Sequence, residues 1–196
     1  MQNSTDKLLK KLDSLNLVNK HPVILFITGA SGAGKTYLVE KMEKVISHNR
    51  LGYFKFDTIG VPSFEEMERD FGSGEKWQES ATHRWVERFT KDTFIPQVII
   101  FEGQYNLDFA INACKKFGIK NYRIVVISVP DKVMTERLTR IRNQPELVNE
   151  NMFNWSRFLR MQGEAKGSLI LDTSAMATSE AINCLSEELL ELIMGK

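Results

Sequence analysis

The segment Gly29-Ala30-Ser31-Gly32-Ala33-Gly34-Lys35-Thr36 fits the pattern G-x-x-x-x-G-K-[ST]. These are the residue types needed to hold a run of phosphates. Glycines let the backbone curl so that N–H groups face an anion without Cβ atoms in the way. A helix opening at Lys35 adds the positive end of its dipole. The Lys35 ammonium is expected to reach the β- and γ-phosphates. The Thr36 hydroxyl is expected to hold the Mg²⁺ that neutralises them. The pattern predicts a bound nucleoside triphosphate.

Such a loop works only between a strand and a helix. Apolar runs at residues 23–27, 53–56, 98–101, 123–129 and 169–171 read as five strands. The first and third are apolar at every position, as in a parallel sheet covered on both faces. Helical spacing marks residues 35–48, 63–93, 107–117, 131–142, 151–163 and 179–194, with a break at Gly72-Ser73-Gly74. Within 131–142, Val133, Met134, Leu138 and Ile141 are expected to face the core. A further helix over residues 5–18 carries Leu8, Leu9, Leu12 and Leu15. The alternation predicts one α/β domain over residues 1–196, a three-layer sandwich around a five-stranded parallel sheet. Ligands of such sheets bind at the carboxyl ends of the strands.

Composition narrows the class. The 196 residues hold 26 Lys plus Arg against 25 Asp plus Glu, a formal charge of +1. That balance argues against a protein that coats nucleic acid or an anionic membrane. Cys114 and Cys184 show neither a disulfide framework nor zinc spacing, which suits a reducing cytoplasm. The longest apolar run, residues 23–28, is too short to span a bilayer. The first residues are polar rather than signal-like. The expected partner is a small molecule, with the chain a monomer or homodimer.

Two other nucleotide-binding classes fit poorly. Asp57-Thr58-Ile59-Gly60 has the form D-x-x-G, but only 20 residues separate Thr36 from Asp57, too few for a switch loop and a hairpin. Ser128-Val129-Pro130-Asp131 stands where a guanine-reading N-K-x-D would follow strand four. Strand three ends Phe101-Glu102-Gly103, one carboxylate rather than the adjacent acids of a motor ATPase.

What remains resembles the small P-loop kinases, the group with nucleoside monophosphate, shikimate and gluconate kinases and some antibiotic phosphotransferases, over residues 23–194. The resemblance implies the P-loop NTPase fold with strand order 2-3-1-4-5, and ATP with Mg²⁺ as the donor. By the same resemblance Asp57, closing strand two, acts as general base or orients the acceptor; its plainer reading is a turn-initiating residue. Residues 63–94 match the acceptor-binding helical insertion. There Trp77, Ala81, Trp85 and Phe89 face a core or a pocket, and Arg84 or Arg88 could hold an anionic acceptor. A solvated face balanced by Glu75, Glu79 and Glu87 is the competing reading of those arginines.

Glu102 is implied near the Mg²⁺ or the acceptor. Gly103 would allow close approach of the substrate, with Gln104 and Tyr105 lining the cleft. Arg137 matches the first arginine of the lid helix. The usual second arginine falls near Ile141, so Arg140 or Arg142 must substitute. Residues 143–160 form the implied lid, and Arg157 and Arg160 its second arginine pair. Thr173 and Ser174 are implied nucleotide contacts. Glu102-Gly103-Gln104-Tyr105-Asn106 replaces the arginine-bearing segment of nucleotide-accepting relatives, so a nucleotide acceptor is not implied.

The expected activity is transfer of the ATP γ-phosphoryl group to a small-molecule acceptor by Lys35, Asp57, Arg137 and Arg140. The alternative is an ATP-binding or ATPase regulatory module acting through a protein partner; the N-terminal helix could then mediate association, its plainer reading being packing against the sheet.

Overall fold

A computed structural model describes residues 4–15, 21–92 and 95–195. The expected helix end at 16–18 and insertion end at 93–94 lie outside these. Five strands, β1 (Val23–Thr28), β2 (Leu51–Lys55), β3 (Val98–Glu102), β4 (Tyr122–Ser128) and β5 (Leu169–Asp172), form one sheet in the order β2-β3-β1-β4-β5. Every pairing is parallel. This is the expected strand order of a P-loop NTPase.

β1 and β3 are buried along their whole length. Alternation then sends Leu25 and Ile27 to one face, against α1 (Ser4–Asp13), α2 (Lys35–Val45) and α8 (Thr178–Ile193). Ile24, Phe26 and Phe101 face the other side, against α4 (Gly74–Lys91), α5 (Leu107–Phe117) and α7 (Glu150–Ala165). The register aligns Ile27 and Lys55 with Glu102. Whatever follows β1, β2 and β3 is therefore delivered to one edge.

α4 carries the aromatic half of the core. Trp77, Ala81, Trp85 and Phe89 are all buried, resolving the sequence alternatives in favour of packing. The Trp85 indole N–H donates to the Phe56 carbonyl at 3.0 Å, which fixes the chain just after β2. α3 (Phe64–Phe71) precedes α4, and Ser63 closes its N-terminus with a reciprocal capping box with Glu66. Gly72 ends α3 at φ 81° and Ser73 caps α4, so the break falls at the expected Gly72-Ser73 step. α2 stops at Val45 rather than 48.

The N-terminal helix is bound to the fold through α8. Leu8 and Leu12 are fully buried, and the Ser4 hydroxyl donates to Glu187 at 2.7 Å. Arg50 satisfies the open carbonyls at the other end of α1, donating to Leu12 at 2.8 Å and to Leu15. Leu12→Ala is expected to cost about 3 kcal/mol through lost transfer energy and a residual cavity. Urea unfolding monitored by circular dichroism will measure it, with the midpoint moving down and the slope unchanged.

Candidate functional site

The phosphate loop leaves β1 pressed against β4. A Cβ at Gly29 would lie 2.2 Å from the Ile127 carbonyl oxygen, so only glycine fits there. Gly34 sits at φ 100°, in the left-handed region, and opens α2 with no side-chain cap. The first N–H groups of α2 thus lack a side-chain partner, the condition for an anion site. The Lys35 side chain folds back across the loop, and its ammonium donates to the Ala30 carbonyl at 3.1 Å. Burial lowers the Lys35 pKa to about 8, against the opposing pull of Glu102 and Asp57.

Thr36, one residue on, donates its hydroxyl to Glu102 Oε1 at 3.1 Å. Glu102 is buried at the end of β3, and burial raises its pKa while Lys35 and the Thr36 hydrogen bond pull it back. Asp57 is the second residue of a short 3₁₀ turn, Phe56–Ile59, after β2 and is exposed. Its charge acts on both Lys35 and Glu102. Lys35, Thr36, Glu102 and Asp57 therefore share one edge, from three different strands. An ion pair lies alongside: Lys55 donates to Glu40 at 2.6 Å, and Lys55 is the register partner of Glu102. Sequence reasoning missed this pair, which joins α2 to β2 and carries no local signal in the sequence.

A cleft of about 610 Å³ runs from the loop along α2. Gly34, Lys35, Thr36, Arg137, Arg142 and Thr173 supply its polar lining, and Tyr37, Ile141 and Met176 an apolar part. Arg137 lies across Gly34. Its guanidinium donates to the Ala33 carbonyl at 2.7 Å and to the Thr173 carbonyl at 2.9 Å, and a Cβ on Gly34 would come within 3.0 Å of it. Desolvation lowers the Arg137 pKa from its usual value. Met134 and Leu138 pack over Gly32, where a Cβ would meet each at 2.9 Å.

The helix expected to lead into a lid departs from the expected phase. α6 (Asp131–Glu136) runs into a π turn over Arg137–Ile141, closed by the Arg142 N–H donating to the Arg137 carbonyl at 3.0 Å. One extra residue in the turn brings Arg142 to the cleft beside Arg137. Ile141, expected in the core, is 75% exposed for the same reason. Arg140 points to solvent and pairs with Glu136 at 3.3 Å. Arg157 is held by Asp131, and Arg160 by Glu164 at 2.9 Å, both outside the cleft.

The other residues expected to meet the acceptor or nucleotide divide. Gly103 is packed against Phe56, whose Cβ would lie 2.3 Å from a Cβ on Gly103. Its lack of a side chain thus serves the core here, where close approach of a substrate was expected. Tyr105 is fully buried, stacked on Phe101 with its hydroxyl on the Phe101 carbonyl at 2.8 Å, and lines no cleft. Arg84 is exposed on α4 beside Glu87, Lys116 and Phe117, the end of α5 that leads into β4 and so the opposite edge from the loop. Arg88 lies over the Trp85 ring at 4.8 Å and beside Asp92. Ser174 is exposed, and its N–H is taken up by Asp172 at 2.8 Å.

Comparison with known proteins adds a family. Several solved structures share the fold. A gluconokinase from Sinorhizobium meliloti aligns at TM-score 0.59 and 14% identity over 90% of this chain and 94% of that one. The tunicamycin resistance protein of Deinococcus radiodurans aligns at 0.57 and 14%, over 86% and 95%. A shikimate kinase from Aquifex aeolicus aligns at 0.51 and 16%, over 89% and 100%. No curated protein sequence matches. The family model of the zeta toxins matches residues 5–135, from α1 through the loop and Asp57 to the penultimate residue of α6. That span is about two-thirds of the chain and stops just short of Arg137. On the P-loop kinase fold, then, the chain belongs to the Zeta toxin family.

Proposed function

We propose that the protein is an ATP-dependent phosphotransferase acting on a small-molecule hydroxyl. The observation that carries this reading is the convergence of Lys35, Thr36, Glu102 and Asp57 on one sheet edge. A triphosphate fits the donors present. The α2 N-terminus has uncapped N–H groups, and the Lys35 ammonium rests on a loop carbonyl that a phosphate oxygen can replace. The Thr36 hydroxyl and Glu102 carboxylate, 3.1 Å apart, are hard oxygen ligands of the kind Mg²⁺ takes. When bound, Mg²⁺ neutralises phosphate charge.

In this reading Lys35 and Arg142 stabilise charge on the transferring group. Arg137, braced by Ala33 and Thr173, flanks the nucleotide. Asp57 accepts the acceptor's hydroxyl proton as the acceptor oxygen bonds to the γ-phosphorus and the bond to the β–γ bridging oxygen breaks, releasing ADP. A neutral Asp57 cannot do this, so Asp57→Asn is expected to lower kcat by roughly 10²–10⁴-fold while ATP affinity stays the same. Acceptor-dependent ADP release and calorimetric ATP binding separate the two effects. ATP turnover needing a protein partner and no acceptor would favour the regulatory module instead.

Lys35 gives a second test with two opposed signs. Its folded pKa of about 8 lies below the ordinary 10.5. Between those values the unfolded chain binds more protons, so ligand-free stability is expected to rise with pH from about 8 to 10.5. ATP affinity is expected to fall over the rise through 8, as the ammonium loses its charge. Lys35→Met removes the buried charge, and should raise the ligand-free stability at pH 7 by up to about 3 kcal/mol. It should also weaken ATP binding at least roughly 10²-fold. Thermal melts across pH, with and without ATP, read both.

A further inference from the structure

The start of the phosphate loop is held from both sides of β1. On the β4 side the ladder runs up to Thr28, opposite Val126. On the β3 side it ends one residue earlier, at Ile27 and Glu102, where the Gly103 N–H donates to the Ile27 carbonyl at 3.0 Å. Beyond that rung the backbones part, β1 into the loop at Gly29 and β3 into the segment that leads to α5. The Thr28 side chain spans the gap. Its hydroxyl donates to the Tyr105 carbonyl at 2.9 Å and accepts from the Tyr105 N–H at 3.3 Å. Thr28 is fully buried, so both bonds are made away from solvent.

Tyr105 is a firm anchor. Its ring stacks on Phe101 at 5.3 Å and lies 5.6 Å from the Phe56 ring and 6.1 Å from the Phe26 ring. Side chains from two helices hold its neighbours. From α4, Gln78 donates to the Gln104 carbonyl and accepts from the Asn106 N–H, each at 3.0 Å. From α7, Gln162 accepts from the Leu107 N–H at 2.9 Å. The segment after β3 is thereby fixed to the core, and Thr28 extends that fixity to the residue before Gly29.

What depends on it is a distance. Gly29 rests on the Ile127 carbonyl of β4, a contact that stops the loop moving towards β4 and does nothing to keep it from moving away. Thr36 rides on the loop and α2, whereas Glu102 rides on β3. Their oxygens, 3.1 Å apart, are the pair that fits Mg²⁺. The groups that would meet the phosphates, the uncapped N–H groups of α2 and Lys35 on the Ala30 carbonyl, belong to the loop and helix alone and travel with them. A pivot at Gly29 would leave that cradle whole and change the spacing of Thr36 and Glu102.

We propose that Thr28 is a positioning residue: its hydroxyl ties the start of the phosphate loop to the segment after β3, and so sets the Thr36–Glu102 spacing that a divalent cation needs. This rests on the reading that the loop takes a triphosphate with Mg²⁺, and not on phosphoryl transfer. The test is calorimetric titration of ATP into the full chain, once with excess Mg²⁺ and once with EDTA. Thr28→Val keeps the shape and removes the hydroxyl. It should weaken ATP binding with Mg²⁺ by about tenfold or more, as loss of a residue that orients a metal ligand does. Binding in EDTA should change by less than about threefold. Thr28→Ser keeps the hydroxyl and should bind ATP with Mg²⁺ within about threefold of the parent chain. Should Thr28→Val not fold, Thr28→Cys serves, with a thiol as weak donor and acceptor in the same place, and should show the same imbalance. Equal losses in the two buffers, no loss in either, or a folded Thr28→Ser that binds as poorly as Thr28→Val overturns the proposal. A parent chain that binds ATP in neither buffer overturns it together with the triphosphate reading. A parent chain that binds ATP with Mg²⁺ and never releases ADP in response to an acceptor overturns the phosphotransferase reading and leaves the role of Thr28.

Discussion

The structure turns on one buried ammonium. Lys35 is held among backbone dipoles at the start of α2, with a loop carbonyl as its hydrogen-bond partner and two carboxylates within electrostatic reach. Taking a cation out of water is unfavourable unless something repays it. Here the repayment is divided between the Ala30 carbonyl and the fields of Glu102 and Asp57, and it is incomplete, as the depressed pKa shows. A loop carrying unmet positive charge is prepared for a polyanion. The stability withheld from the ligand-free fold is available to binding.

That arrangement explains why the sheet must be parallel and so ordered. Glu102 reaches Thr36 because β3 lies next to β1, and the charge of Asp57 acts on Glu102 and Lys35 because β2 lies next to β3. The register sets their ends level. The aromatic packing beneath, with Trp85 on the Phe56 carbonyl and Phe56 against Gly103, holds the end of β2 against the end of β3. Core and site are thus the same problem at this edge: a side chain on Gly103 would displace the turn that carries Asp57.

Much of this was legible in the sequence because it is local or periodic. The phosphate loop is spelled out in eight consecutive residues, and five apolar runs alternating with helices admit few topologies. What was not legible depends on phase and on tertiary neighbours. Ile141 fits a core pattern only if the helix keeps 3.6 residues per turn through Arg137, and nothing in the local residue types announces the π turn. Arg84 and Arg88 sit on the insertion as an acceptor-binding arginine would, and α4 turns them to solvent and to Trp85. Gly103 reads as a substrate-facing glycine until Phe56 is placed beside it. The Lys55–Glu40 pair spans two elements whose adjacency only the folded sheet reveals.

The π turn after α6 has an evolutionary reading. A single residue added to a helix rotates everything after it by about 100° while leaving everything before it in place. Met134 and Leu138 stay anchored on the phosphate loop, and only the residues downstream change direction. One residue more or fewer between Leu138 and Arg142 would therefore change which side chain faces the cleft while Met134 and Leu138 stay on the loop. Arginine spacing along such a helix can drift, and alignments that count residues will mismatch side chains that occupy the same place.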